Sequence, residues 1–175
     1  MKIVVVYSSR TGNTEKVARA IHAILPQPAD IFCVQDAPDP SGYDFVAMGF
    51  WVDKGAPDAE AREYMRSIHG KAIGLFGTLG AWPNSDHAKD CLCKAEELVK
   101  DNEILGSFLC QGRIDPRIIE VMQKMAFEAH PMTPERLARI QEAEKHPDDA
   151  DLLAAQAAFN CMLDRLAVRE ASCAS

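Results

Sequence analysis

The stretch VVVYSSRTGNTEKVARAI, Val4 to Ile21, opens as an apolar β-branched run and closes with helical spacing, and SSRTGNT lies between the two. The opening run shows no polar alternation, which predicts a strand buried on both faces. Val17, Ala20, Ile21 and Ile24 then recur along one helix face until Pro26 stops them. A helix N-terminus leaves backbone N–H groups without intrahelical partners and carries partial positive charge. When the helix follows a buried strand, those donors face outward at the carboxyl edge of the sheet. Six of the seven linking residues can add a side-chain hydrogen bond, and only Arg10 is charged. Capping a helix does not require so many donors together. Ser9, Thr11, Asn13 and Thr14 instead suit a phosphate dianion, and Gly12 lets the backbone turn close beneath it.

The rest of the chain repeats this alternation. Strands are expected at Lys2–Tyr7, Ile31–Val34, Asp44–Gly49, Ala72–Phe76 and Leu105–Cys110. Between them, Pro57 can open a helix carrying Ala61, Met65 and Ile68 that ends at Gly70, and Ser85 can cap one carrying Ala88, Cys91, Leu92, Ala95, Leu98 and Val99. Asp115-Pro116 reads as a cap with proline at the first helical position, ahead of Ile118, Ile119, Met122 and Met125. Strand–helix alternation of this kind predicts an α/β domain with a parallel sheet covered on both faces. After His130 the pattern changes. Thr133-Pro134 starts a short helix with Leu137 and Ile140, and His146-Pro147-Asp148 breaks it and caps a last helix bearing Leu152, Phe159, Leu163 and Leu166. One domain is expected over residues 1–168, with residues 130–147 as a helical insertion before the last helix and a frayed tail at 169–175.

Composition narrows the function. The chain has 175 residues, 26 acids against 19 bases, and a net charge of −7, a balance that repels nucleic acid and suits a basic protein partner. No apolar run is long enough for a membrane span, and the N-terminus lacks the pattern of a signal peptide. The six cysteines include no CxxC, and Cys91 and Cys93 would point to different sides of a helix. No metal site is expected, and scattered thiols fit a reducing cytoplasm. The nucleotide loops GxxxxGK[ST] and GxGxxG are absent, and the turn at residues 8–14 contains no cysteine nucleophile. No catalytic residue can be assigned. Of the histidines, His87 falls nearest the proposed site.

Tyr7-Ser8-Ser9-Arg10-Thr11-Gly12-Asn13-Thr14, backed by Ala18 and Ile21, resembles the FMN-phosphate loop of the flavodoxins. That resemblance implies a three-layer sandwich, with a five-stranded parallel sheet in the order 2-1-3-4-5 and helices on both faces. FMN would lie at the switch point above strands one, three and four. Two further loops should then hold the flavin ring. Phe50, Trp51, Val52, Asp53, Lys54 and Gly55 follow the third strand, and Thr78, Leu79, Gly80, Ala81 and Trp82 follow the fourth. An isoalloxazine is a flat apolar plate with a polar edge, so tryptophans on these loops suit its faces and loop N–H groups its rim. Adjacent residues of an extended loop face opposite ways, so one of Phe50 and Trp51 should turn inward. Asp53 and Asp58 would disfavour added negative charge on the flavin, and Lys54 would oppose them.

GFWVDKGAPD, CQGRIDP, MTPERLARI and HPDDADL are together similar to the BilS-type flavodoxin-like proteins, a group associated with an enzyme that reduces bilirubin. The expected function is electron transfer through FMN to a partner oxidoreductase. The alternatives are an FMN-dependent reductase of a quinone or tetrapyrrole that acts alone, and an accessory subunit without redox chemistry.

Overall fold

The structure is a computed structural model that describes the backbone of residues 1–125 and 133–173 and the side chains of 1–120 and 133–168. Met122, Met125, His130 and Met132 fall outside the described side chains.

The run at Val4 becomes β1 (Ile3–Tyr7), all five of whose residues are buried. Residues alternate across a strand, so its unbroken apolar run feeds two cores at once. Ile3, Val5 and Tyr7 face one cluster together with Val17, Ile21, Phe45, Phe76 and Phe159. Val4 and Val6 face the other, with Met48, Phe50, Met65, Leu75 and Ala88.

On the first face lie α1 (Asn13–His22) and the long α6 (Asp149–Cys173). On the second lie α2 (Ala59–Met65) and α3 (Asp86–Leu98). The strands are β2 (Ala29–Cys33), β3 (Phe45–Asp53), a two-residue β4 (Ala56–Pro57), β5 (Ala72–Leu79) and β6 (Glu103–Gln111). The sheet runs β2-β1-β3-β5-β6, with every pair on that path parallel and β4 antiparallel to β3. Without the two residues of β4 this is the expected order. β2 lies at an edge and is half-buried throughout, consistent with its weaker apolar signal.

The described residues form two further helices, α4 (Pro116–Met125) and α5 (Pro134–Ala143). Thr133 caps α5, its hydroxyl accepting from Arg136 N at 3.3 Å. α6 packs through Leu152, Ala155, Phe159, Met162 and Leu166, spaced to keep one face on the sheet. Phe159 meets Phe45 and Phe76 edge-on, with ring centroids 6.4 and 5.8 Å apart. It reaches the strands over Gly74, where an added Cβ would lie 2.8 Å from Phe159 and from Met162 Sδ. Burying that ring contributes roughly 2–3 kcal/mol.

Three expectations change. Pro57 does not open the second helix. It pairs with Val52 in β4, and Asp58 provides the cap, its carboxylate accepting from Ala61 N at 3.1 Å. The helix then stops at Met65 rather than at Gly70, although Ile68 is still buried beyond it. The last helix continues to Cys173, through most of the segment expected to fray.

His146, Asp148 and Asp151 converge, with ligand-type atoms all within 4.8 Å of one another. Their hydrogen bonds are mutual. Asp151 N donates to Asp148 Oδ1 at 3.0 Å, Asp148 N to Asp151 Oδ2 at 3.0 Å, and His146 Nδ1 lies 2.5 Å from Asp151 Oδ2. This is a reciprocal cap on α6. No helix among the described residues is long and apolar enough to cross a membrane.

Candidate functional site

At the carboxyl edge of the sheet, a cleft opens between the ends of β1, β3, β5 and β6. Its inner end is lined by Arg10, Thr11 and Asn13 on one side and by Thr78, Gly80 and Gly112 to Asp115 on the other. The outer part has a volume of about 1010 Å³ and is bounded by Trp51 to Gly55, Leu79 to Ala81, His87, Arg117 and Arg139. That volume lies at the top of the usual range for a small-molecule site.

The turn after β1 sets the inner end. Gly12 is the N-cap of α1 with φ of +84°, a left-handed conformation that a glycine adopts without steric cost. It provides no side-chain cap, whereas α2, α3 and α5 are capped by Asp58, Ser85 and Thr133. An added Cβ at Gly12 would meet nothing within 4 Å, so the helix end faces open space. The side chains around it brace the turn. Ser9 Oγ accepts from Glu15 N at 3.3 Å, Asn13 Nδ2 donates to Arg113 O at 2.9 Å, and the buried Thr14 hydroxyl lies 3.0 Å from Thr78 Oγ1. The turn is therefore tied to the end of β5 and to the loop after β6, and its open helix end fits a phosphate group.

Arg10 leaves the turn to form a different contact. Its Nε donates to Asp115 Oδ2 at 3.0 Å, and its Cζ lies 5.5 Å from the centre of the Trp51 ring. Asp115 is 5 % exposed. Hydrogen bonds from Arg117 hold its carboxyl below the usual range, and Arg10 adds to the effect.

Trp51 stands in the cleft wall, and Phe50 does not. Phe50 is fully buried in the core beneath α2 and α3, lying over Gly77, where an added Cβ would come within 2.9 Å of its ring. The alternation of the strand sends one aromatic inward and the other outward. The expected role of Phe50 at the flavin is thus corrected to a core role. Asp58 does not line the cleft. It is 2 % exposed and accepts from Ser8 Oγ at 2.7 Å, from Trp51 N at 3.3 Å and from Ala61 N, so it braces the loop from behind.

Beyond Trp51 the chain makes a tight hairpin. Asp53 pairs with Ala56 around Lys54 and Gly55, whose φ values of 50° and 77° match a two-residue primed turn. Lys94 of α3 donates from Nζ to Gly55 O at 2.8 Å and pins the tip. Val52, Asp53, Lys54, Leu79 and Ala81 all reach the cleft wall. Trp82 does not border the cleft. It is 45 % exposed, and its carbonyl accepts from Ser85 N and Oγ, a turn that leads into α3.

The loop after β6 and the start of α4 form a further wall that the sequence reading does not include, with Gly112, Arg113 and Ile114 from the loop and Ile118 from the helix. A signal existed, because ligands in open α/β sheets lie beyond the carboxyl ends of the strands and this loop follows the last one. Arg139 of α5 also reaches the wall, and no local pattern marks it.

This fold and cleft define a class. The chain belongs to the flavodoxin-domain family, which it matches over residues 4–160. Its similarity extends to particular members. It is 37 % identical over 163 residues to the flavodoxin-like domain-containing protein BilS of Clostridioides difficile (strain CD3), covering 87 % of this chain and 90 % of that one. It is 29 % identical over 178 residues to the BilS protein of Clostridium symbiosum (strain WAL-14163), covering 89 % and 93 %. A solved flavoprotein in complex with FMN, from Lactobacillus acidophilus NCFM, superposes with a TM-score of 0.51 at 15 % identity, covering 70 % of this chain and 98 % of that one. At that identity the likeness shows the fold alone.

Proposed function

We propose that this chain is an electron carrier that passes reducing equivalents to a partner oxidoreductase. FMN is its cofactor, and it supplies one- and two-electron chemistry while the protein binds and orients it. The open N-terminus of α1 would hold the phosphate, with Thr11, Gly12 and Asn13 around it. Trp51 would cover a face of the ring, and the Lys54–Gly55 turn and the Thr78–Ala81 segment would line its edge. The observation that carries this reading is the glycine-capped end of α1 opening into the same cleft as Trp51. The BilS-type likeness directs the search for an acceptor toward an enzyme that reduces bilirubin. Five described cysteines are free thiols, in keeping with a reducing cytoplasm.

The test is titration of apoprotein with FMN and with riboflavin, followed by flavin fluorescence. FMN is expected to bind about 100-fold more tightly, because riboflavin lacks the charged hydrogen-bonding group. Thr14→Val should weaken FMN binding about fivefold by removing the bond to Thr78. Trp51→Ala should weaken it about tenfold by removing the stacked ring. Equal affinity for the two flavins would sink the phosphate reading. The outer cleft is also large enough for a substrate, so a reductase acting alone predicts steady turnover with NADPH and no second protein. Complete dependence on an added protein would exclude that alternative.

A further inference from the structure

The mouth of the cleft carries a charge opposite to that of the whole chain. Its described walls bear four bases, Arg10, Lys54, Arg117 and Arg139, against one acid, Asp53. The chain as a whole has 19 bases and 26 acids. Asp115 is already paired with Arg10 and Arg117, so it offers little to neutralise the others.

Lys54, Arg117 and Arg139 line only the outer part, away from the turn that would take a phosphate. They come from three separate places, a hairpin tip, the start of α4 and the middle of α5. Arg139 is half-buried beside the like charge of Arg136, and its Nε is buried without a hydrogen-bond partner among the described residues. Burial and that neighbour both pull its basicity down, a cost that an incoming anion would relieve. Lys54 is exposed, and the Arg117 side chain is 79 % exposed. Small anions are usually held by enclosed charges, whereas open bases around a rim steer and orient a macromolecule.

We infer that the cleft mouth, through Lys54, Arg117 and Arg139, is the docking face for an acidic patch on the redox partner protein. This rests on the electron-carrier reading above. It reverses the expectation drawn from net charge, because docking responds to the nearest charges once a partner is within about 10 Å at 0.1 M salt.

Two measurements test it. A polyglutamate peptide carrying a dye that emits beyond the flavin is added to FMN-loaded protein, and anisotropy is followed from about 20 to 300 mM salt. Binding is expected at low salt, with at least about fivefold loss in the triple variant Lys54→Asn, Arg117→Gln, Arg139→Gln. Lys54→Asn alone alters one exposed charge at a position with left-handed backbone that asparagine tolerates, and it should weaken binding in the same direction by less. Second, FMN-loaded protein is reduced and mixed with ferricyanide or with hexaammineruthenium(III). Each two-electron-reduced flavin gives one electron to each of two metal ions, reducing both and releasing its protons to solvent. The ferricyanide rate should fall as salt rises and the ruthenium rate should climb, and the triple variant should lose that preference.

A ferricyanide rate that climbs with salt would mean that net charge governs approach, and the proposal fails. Attraction of ferricyanide without capture of the peptide would assign the bases to a small anion and also overturn it. Peptide binding unchanged in the triple variant would do the same. Flavin retention is read first from visible absorbance. Loss of flavin there counts against the carrier reading, while intact flavin with the wrong salt slope counts against the docking face alone.

Discussion

At the inner end of the cleft, Ser9, Asn13 and Thr14 bond to Glu15, Arg113 and Thr78, so the turn is fastened to its own helix, to the loop after β6 and to the end of β5. At the outer end, the Lys54–Gly55 turn projects from its hairpin and is held at the tip by Lys94. The inner end is a braced frame around a helix terminus. The outer end is assembled from pieces that meet only when the sheet forms, and it bears the exposed charges. A frame of the first kind suits a group that must be held in one place. A rim of the second kind suits a surface that partners approach and leave.

Asp58 links the two ends, so its removal should erase the contrast and produce the largest effect. Asp58→Ala leaves Ser8 Oγ, Trp51 N and Ala61 N without their carboxylate. A loss of about 3 kcal/mol in unfolding free energy is expected, with Asn in its place recovering roughly half. Denaturant unfolding of both variants measures this, and near-wild-type stability for the alanine variant would show that the two ends are not joined through Asp58.

Lys94→Met should sharpen the contrast by loosening only the outer end. Global stability should change by less than about 1 kcal/mol, while FMN affinity falls by no more than about threefold. Flavin titration beside a thermal melt separates the two readouts. A loss in affinity as large as that from Trp51→Ala would mean that the hairpin tip holds the flavin as firmly as the stacking ring does.

The smallest effect is expected behind the loop after β6, where Arg113 N donates to His146 O. The hydrogen bond that His146 donates to Asp151 raises the His146 pKa above its ordinary 6.5, with Asp151, Asp148 and Glu142 all facing the ring and burial opposing them. Stability from this group is therefore fully present below about pH 6.5 and is lost as pH rises through the raised folded value. Asp148 behaves oppositely. Its pKa is lowered by the backbone bond to Asp151, so its contribution is present above its ordinary value and lost as pH falls through the lowered one. Wild type should lose more stability than His146→Asn between about pH 6 and pH 8. Parallel pH profiles for the two proteins would remove His146 from the account.

Much of the frame can be read along the chain. The turn after β1, the cap at Ser85, the cap at Thr133 and the two-sided burial of β1 all follow from local pattern, because each depends on residues within a few positions of one another. The second helix differs from its local pattern at its start. Pro57 satisfies a helix opener locally, but a pairing partner at Val52 and a cap at Asp58 outweigh it. Phe50 and Trp51 were identified as a pair facing opposite ways, yet which one turns inward depends on the register of β3 against β5, which puts Trp51 opposite Thr78 at the sheet edge.

The sequence by itself determined the alternation of strands and helices, the glycine-led turn and the excess of acid, since each is a property of neighbours or of composition. Only the tertiary structure decided that Phe50 belongs to the core, that Asp58 braces the loop rather than facing the cleft, and that Arg10, Arg117 and Arg139 share a wall. Those residues lie up to 129 positions apart, from Arg10 to Arg139. Charge and contact across such separations are fixed by how the sheet edge and the helices pack, which no local pattern encodes.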